Sequence, residues 1–290
     1  MLIRPLVCAA SLLLLAGAAS AAPSAPAAPA LAADHHADNE FARLADEKGP
    51  AIVTLKFVLK IEFNGNAQER EEEVTGVLID AKGLVLCTNQ SMGGFPPAMA
   101  KRMGNVSIVP TKIKVLVGDD TEGVDGKLIA RDSDLDLAWV QVETPPAKPY
   151  TFIDFASSST AGLGDELMIL DRLTKVFDRA LMVSDMRVGA VVKRPRPMIH
   201  AAGILNRYGV PVFNADRKAV GFAAFYTPAE EDETEGEESR PSLIVVPASE
   251  VTAATERARR TAEAGGAEPA PAAPAAPADA KPADAPADKK

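Results

Sequence analysis

The strongest constraint on this chain is how often short β-prone runs are cut by turn residues. AIVTLKFVLKIEF (51–63) is rich in branched and aromatic residues, and Asn64-Gly65-Asn66 ends it. Glu71 to Asp80 reads as a returning strand, Lys82-Gly83 turns again, and LVLCTN (84–89) follows. Lys112 to Gly118, Gly126 to Arg131 and Leu135 to Glu143 complete a first half. Residues 93–104 read as a loop with a short helical piece. Thr144-Pro145-Pro146-Ala147-Lys148-Pro149 reads as a linker. Beyond it come ELMIL (166–170), LMVSDMRVGAVVK (181–193), MIHAAGIL (198–205) and SLIVVPA (242–248). Hairpin after hairpin at this spacing predicts antiparallel barrels or sandwiches, with about six strands on each side of the linker.

The hairpin Gly203 to Tyr226, GILNRYGVPVFNADRKAVGFAAFY, is the most informative of these. Val210, Val212 and Phe213 form a short apolar run, and Asn214-Ala215-Asp216 is turn chemistry. Ala219 to Tyr226 is a second apolar, partly aromatic run, as a buried strand requires.

Helices are expected only at the ends. Asp38 and Asn39 are credible caps for a helix carrying Phe41, Leu44 and Ala45, which Gly49-Pro50 stops. A closing helix is expected from Ser249 to about Glu263, starting at a Ser-x-x-Thr cap formed by Ser249 and Thr252.

Residues 1–21 read as a cleaved secretory signal. Arg4 supplies the positive region, Leu6 to Ala16 the apolar run, and Ala19-Ser20-Ala21 the cleavage pattern. The apolar run is too short to span a bilayer and no later stretch is long enough, so the expectation is an exported protein, periplasmic or extracellular, with no transmembrane anchor. Residues 22–37 are an Ala/Pro-rich spacer and 265–290 an Ala/Pro-rich tail, neither with enough apolar surface to fold. That leaves a first barrel with its leading helix at 38–144 and a second with its closing helix at 150–264. Only Cys87 survives removal of the signal, so no internal disulfide is expected. The formal net charge of −9 argues against nucleic-acid binding, which needs a basic face. It leaves basic partners plausible.

Several pieces together resemble the HtrA-like branch of the trypsin-like serine proteases. VTGVLIDAKGLVLCTN (74–89) is similar to the family's SGFIID…GYILTN. GKLIARDSDLDLAWVQV (126–142) resembles its D-x-x-x-DLAVLKI segment, LGDELMIL its VGDxVxAIG, and SLIVVPASEV its GFAIPSxxV. The 203–226 hairpin resembles GNSGGPLVNxxGxVIGI. Each piece says little beyond strand and turn, but their order is the family's, over about residues 39 to 251. The resemblance implies an all-β fold: two six-stranded antiparallel Greek-key barrels with short N- and C-terminal helices.

It also implies where a catalytic triad would stand. The family's histidine follows TN by two residues, where this chain has Ser91. The aspartate opening DLA corresponds to Asp136, and the serine to Tyr208. The glycine that helps form the oxyanion hole corresponds to Asn206. A serine is a weak nucleophile until an imidazole takes its proton, and the aspartate only orients that imidazole. Asp136 alone therefore has nothing to orient, and a phenol with a pKa near 10 is a poor substitute. No replacement is evident. His200 reads as a strand-end polar residue rather than a recruited base, and Cys87 as a buried structural thiol. His35 and His36 read as incidental neighbours, not a metal pair. Asp119-Asp120 and Asp132-x-Asp134-x-Asp136, the latter three falling on one side of an extended segment, lack the rest of a calcium loop and read as turn and strand-edge residues. No cofactor and no metal site are expected.

A fold without its triad keeps its substrate groove. In the family the strand after the nucleophile turn pairs with an extended peptide. Here that strand is Gly221-Phe222-Ala223-Ala224-Phe225-Tyr226. Directly after it comes an acidic run, Glu230, Glu231, Asp232, Glu233, Glu235, Glu237 and Glu238, which would give the groove an acidic rim. The bland reading of that run is a solvated insertion. The expected function is a non-catalytic binding or scaffold protein for an extended peptide or a basic protein partner. The alternative is an HtrA-like endopeptidase whose site is non-standard or completed by a partner.

Overall fold

A computed structural model of the chain describes residues 39–63, 65–96, 99–100, 106–203, 205–227 and 242–264. The stretches expected to be a signal, a spacer and a tail lie outside these residues, as does the acidic run.

Helix α1 (Glu40–Lys48) starts at Asn39, whose side-chain oxygen accepts the N–H groups of Phe41 at 2.9 Å and Ala42 at 3.4 Å. These are donors that a helix start otherwise leaves unpaired. Pro50 in the tight turn Gly49–Ala51 prevents the helix from continuing and delivers the chain into β1.

Strands β1 (Ile52–Phe63), β2 (Asn66–Leu78), β3 (Leu84–Thr88), β4 (Val106–Leu116), β5 (Val124–Asp132) and β6 (Leu137–Val142) close a barrel in the order β1-β2-β3-β6-β5-β4. Strands β7 (Glu166–Arg172), β8 (Leu181–Val192), β9 (Met198–Ala201), β10 (Val210–Phe213), β11 (Ala219–Tyr226) and β12 (Ser242–Pro247) close a second, with the same connectivity. These are the two six-stranded antiparallel Greek-key barrels that the resemblance implies. Local chemistry sets the turns. The Asp80 carboxylate accepts the N–H groups of Lys82 and Leu84, both at 2.9 Å, and Gly83 supplies the left-handed backbone with φ at 92°.

β2 begins at Asn66, well before the strand expected at Glu71. NAQERE has no apolar periodicity to announce a strand. Its ladder with β1, from Phe63↔Asn66 to Ile52↔Val77, supplies the order instead.

β7 shows how one strand serves two cores. Leu167 and Ile169 face the interior of the second barrel beside Val188, Val210 and Val220. Met168 and Leu170 face the junction, in a continuous core with Phe57, Leu86, Trp139, Phe213 and Phe222. The run ELMIL is unbroken because both faces of the strand are buried. Ile153 and Phe155 also join the junction core, and the Ile153 N–H donates to the Leu78 carbonyl at 2.9 Å.

The barrels are clasped by polar contacts. The Arg172 guanidinium donates to the carbonyls of Ile52 at 2.6 Å and Arg179 at 2.9 Å, and Arg179 in turn grips Glu73 at 2.9 Å. Helix α2 (Ala248–Glu263) closes the chain against the first barrel. There the Trp139 indole N–H donates to the Thr255 hydroxyl at 3.0 Å, and Arg259 meets Asp80 at 2.8 Å. Ser249 is not the cap of this helix. Pro247 precedes the first helical residue without a side-chain hydrogen bond, because β12 runs straight into the helix and leaves no loop for a cap. The Thr252 hydroxyl donates back to the Ala248 carbonyl at 2.9 Å.

Candidate functional site at the barrel junction

β5 ends at Asp132 and β6 begins at Leu137, so Asp132, Asp134 and Asp136 occupy a turn, not an extended segment. Asp132 accepts the Leu135 N–H at 3.0 Å and meets Arg257 at 3.3 Å, while Asp136 takes a left-handed φ of 56° and turns inward. The three carboxylates therefore share no face. Among the described residues no group of His, Cys, Asp and Glu is placed to hold a metal ion.

Asp136 is 3% exposed. One carboxylate oxygen accepts the Gln90 N–H at 2.8 Å, the other the Phe225 N–H at 3.0 Å, and its carbonyl accepts the Asn89 N–H at 3.1 Å. Burial pushes this carboxyl up to about 6, and the backbone donors only partly offset the rise.

The turn that carries Ser91 is built on the buried pair Thr88 and Asn89. Asn89 Oδ1 accepts from the Arg131 guanidinium at 2.8 Å, which also reaches the Met92 carbonyl at 2.8 Å. Gly94 lets the chain pass, since a Cβ there would lie 2.0 Å from Asn89 Oδ1. The Ser91 oxygen accepts the Thr88 hydroxyl at 2.5 Å. Ser91 and Asp136 thus sit on facing turns, but the Asp136 carboxylate bonds to the Gln90 backbone rather than to the Ser91 side chain.

Tyr208 is 45% exposed and packs against Phe225, with ring centroids 4.6 Å apart and planes tilted by 53°. The structure therefore gathers Ser91, Asp136, Phe225 and Tyr208 at one place. Asn206 is exposed and its backbone is not left-handed; Gly203 and Gly209, with φ at 110° and 74°, provide that geometry.

Arg207 and Asp171 are site-adjacent residues that sequence reasoning missed. The Arg207 guanidinium reaches Asp171 at 3.4 Å and the Met182 sulfur at 3.5 Å. Asp171 is buried and accepts the Thr75 hydroxyl of the first barrel at 2.7 Å and its neighbour Arg172 N–H at 2.7 Å. Burial raises its pKa, and the Thr75 bond opposes the rise. Arg207 thereby ties the residue before Tyr208 to the barrel junction. A lone acid at the end of the apolar run ELMIL was the available signal, because a buried carboxylate requires partners.

β11 has less open backbone than its whole length suggests. Gly221, Phe222 and Ala223 pair with β10 on one side and β12 on the other. The Ala223 carbonyl also accepts the Gly209 N–H at 2.8 Å. Among the described residues the edge that faces β10 is unpaired only from Ala224 onward, and there the Phe225 N–H goes to Asp136. Just past β11, the buried hydroxyl of Thr227 has no hydrogen-bond partner among the described residues. The Arg196 guanidinium lies 5.0 Å from the Tyr226 ring centroid.

His200, the one histidine among the described residues, lies on β9 opposite Ala190. Cys87 is fully buried against the Ala138 carbonyl at 3.6 Å, and burial pushes its thiol up to about 12. A cavity of about 250 Å³ beside Val192, Met198, Val220 and Ser249 lies at the opposite end of β11 from Phe225.

Paired Greek-key barrels with a buried aspartate at their junction define a homologue of the trypsin-like serine proteases. The chain belongs to the trypsin-like peptidase domain family, whose model matches residues 74–222, about half its length. Among solved structures it is similar to the MamO protease domain from Magnetospirillum magneticum, apo form. The identity is 17% and the TM-score 0.45, over 72% of this chain and 97% of that one. No curated protein sequence matches it.

Proposed function

We propose that this serine-protease homologue is a non-catalytic protein of the cell envelope, exported by its signal, that holds an extended peptide or protein segment at the barrel junction. The observation that carries the reading is the bonding of Asp136. In a working triad that carboxylate orients an imidazole. Here both of its oxygens accept backbone N–H groups, from Gln90 and Phe225. The neighbouring Ser91 oxygen is engaged by Thr88, and Tyr208 packs its ring on Phe225. Neither hydroxyl is hydrogen-bonded to His200, the one histidine among the described residues.

Binding needs none of these groups. Beyond Ala223 the β10-facing edge of β11 has no strand partner among the described residues; its Phe225 N–H is held by Asp136, which leaves backbone acceptors and the unpaired Thr227 hydroxyl to meet a peptide. No helix of the described residues is long and apolar enough to cross a membrane.

The test mixes the chain with a fluorescently labelled unfolded protein and follows anisotropy and fragment release together. Saturable binding without fragments supports the proposal. Fragments that persist in a Tyr208→Ala, Ser91→Ala double variant would overturn it in favour of an endopeptidase with a non-standard site.

A further inference from the structure

The distal half of β2 is a sheet edge without a described partner. From Asn66 to Val77 one side of the strand is fully paired with β1. On the other side β3 pairs only Val77 and Leu78. Residues 66–71 are exposed, and contact with the second barrel begins only at Glu73 and Thr75, through Arg179 and Asp171. The stretch from Asn66 to Glu72 therefore turns alternate N–H and C=O groups to solvent.

Its side chains divide by face. Phe57, Leu59 and Ile61 of β1 lie opposite Glu72, Arg70 and Gln68, and Arg70 and Glu72 pair with each other. On the other face Lys60 and Val58 lie opposite Glu69 and Glu71. Lys60 bonds Glu62 at 2.8 Å and is also attracted to Glu69, while neither Glu69 nor Glu71 makes an ion pair at contact distance among the described residues. The free edge thus carries on one face two carboxylates without an ion pair among the described residues, Glu71 and the Lys60-facing Glu69, separated by about 6.6 Å, the repeat of alternate strand residues.

We propose that the Asn66–Glu72 edge of β2 docks an extended partner segment with Lys or Arg at alternate positions, added as a further strand. The backbone supplies the pairing, and Glu69 and Glu71 select the partner. A second copy of this chain is excluded as the occupant, since a two-fold pairing of β2 edges sets like carboxylates against each other. The proposal is independent of the groove beside Phe225.

The test uses the full chain and a fluorescein-labelled peptide alternating lysine and valine, followed by anisotropy at low ionic strength. The expected result is saturable binding that weakens about tenfold or more in a Glu69→Lys, Glu71→Lys variant and is regained by that variant with a peptide alternating glutamate and valine. Methylating the peptide's backbone nitrogens on the pairing side should weaken binding as well. Circular dichroism checks that the variant keeps its fold, and a milder Glu69→Gln, Glu71→Gln variant should lie between. Absence of saturable binding overturns the proposal. So does equal binding of the methylated peptide, which indicates diffuse charge attraction without strand addition. Loss of binding in Tyr208→Ala, with the edge variants unaffected, places the peptide in the groove and likewise overturns it. Failure of the groove reading alone leaves the edge variants' response intact.

Discussion

The Phe225 N–H donates to the Asp136 carboxylate at 3.0 Å, across the junction of the two barrels. The other carboxylate oxygen accepts the Gln90 N–H at 2.8 Å. One buried side chain therefore fixes the end of β11 against the turn that follows β3. Tyr208 packs on Phe225, so its ring position depends on the same anchor. The Asp136 side chain is thus a brace between two backbone segments.

That brace should make stability depend on pH. Burial raises the Asp136 carboxyl to about 6, against about 3.9 for an unfolded aspartate. Between these values the folded chain holds a proton that the unfolded chain has lost. The stabilisation is complete below about pH 4 and is lost as pH rises through about 6, amounting to at most about 3 kcal/mol. Asp171, also raised by burial, contributes in the same direction. Urea unfolding across this range should show stability falling as pH rises. Asp136→Asn, which cannot ionise, should flatten the fall in part. An unchanged slope in the variant would contradict the assignment.

Gly94→Ala should damage the turn that carries Ser91. The added Cβ would lie 2.0 Å from Asn89 Oδ1, and Asn89 is buried and held by Arg131. The clash forces apart a bonded pair, at a cost of about 2–3 kcal/mol. Gly118→Ala is the control. It has a left-handed φ of 61° but open space around it, and should cost about 1 kcal/mol. Denaturant midpoints of the two variants test the order.

Cys87 should be inert in the native protein. It is fully buried and its thiol is pushed up to about 12, so thiolate is scarce at neutral pH. A thiol reagent should react only after unfolding, at a rate that follows global opening. Rapid labelling under native conditions would mean that β3 opens locally.

What was legible in the sequence followed from local rules. Ala219–Tyr226 was readable as a strand because its apolar run is bounded by turn residues, and the left-handed Gly83 marks a tight turn that sequence alone announces. The start of β2 was not legible, since its polar residues gain order from β1 and not from their own pattern. Nor was the pairing of Arg207 with Asp171, or of Asp171 with Thr75, because partners far apart in the chain meet only after both barrels close. The acids from Asp132 to Asp136 were legible as turn and strand-edge residues, but their placement on one side of an extended segment does not hold, since alternating acids look the same in a strand and in an aspartate-capped turn. The positions of Ser91, Asp136 and Tyr208 were assigned by resemblance, and the structure brings the three to one junction.

The contact between Trp139 and Thr255 offers the cleanest readout of how α2 holds the first barrel. Trp139 is the chain's single tryptophan, 1% exposed, and its indole N–H donates to the Thr255 hydroxyl at 3.0 Å. That hydroxyl donates in turn to the Val251 carbonyl at 2.8 Å, which fixes it as an acceptor for the indole. Thr255→Val preserves the shape of the contact but leaves a buried donor unpaired, at a cost of about 1–3 kcal/mol. Thr255→Ser keeps the hydroxyl and should recover most of that loss. Tryptophan emission in the folded protein should be blue-shifted, as a buried indole requires, and should shift red on unfolding at a lower urea concentration in Thr255→Val than in the parent. If the valine and serine variants unfold together, the hydrogen bond contributes little and packing alone holds the helix.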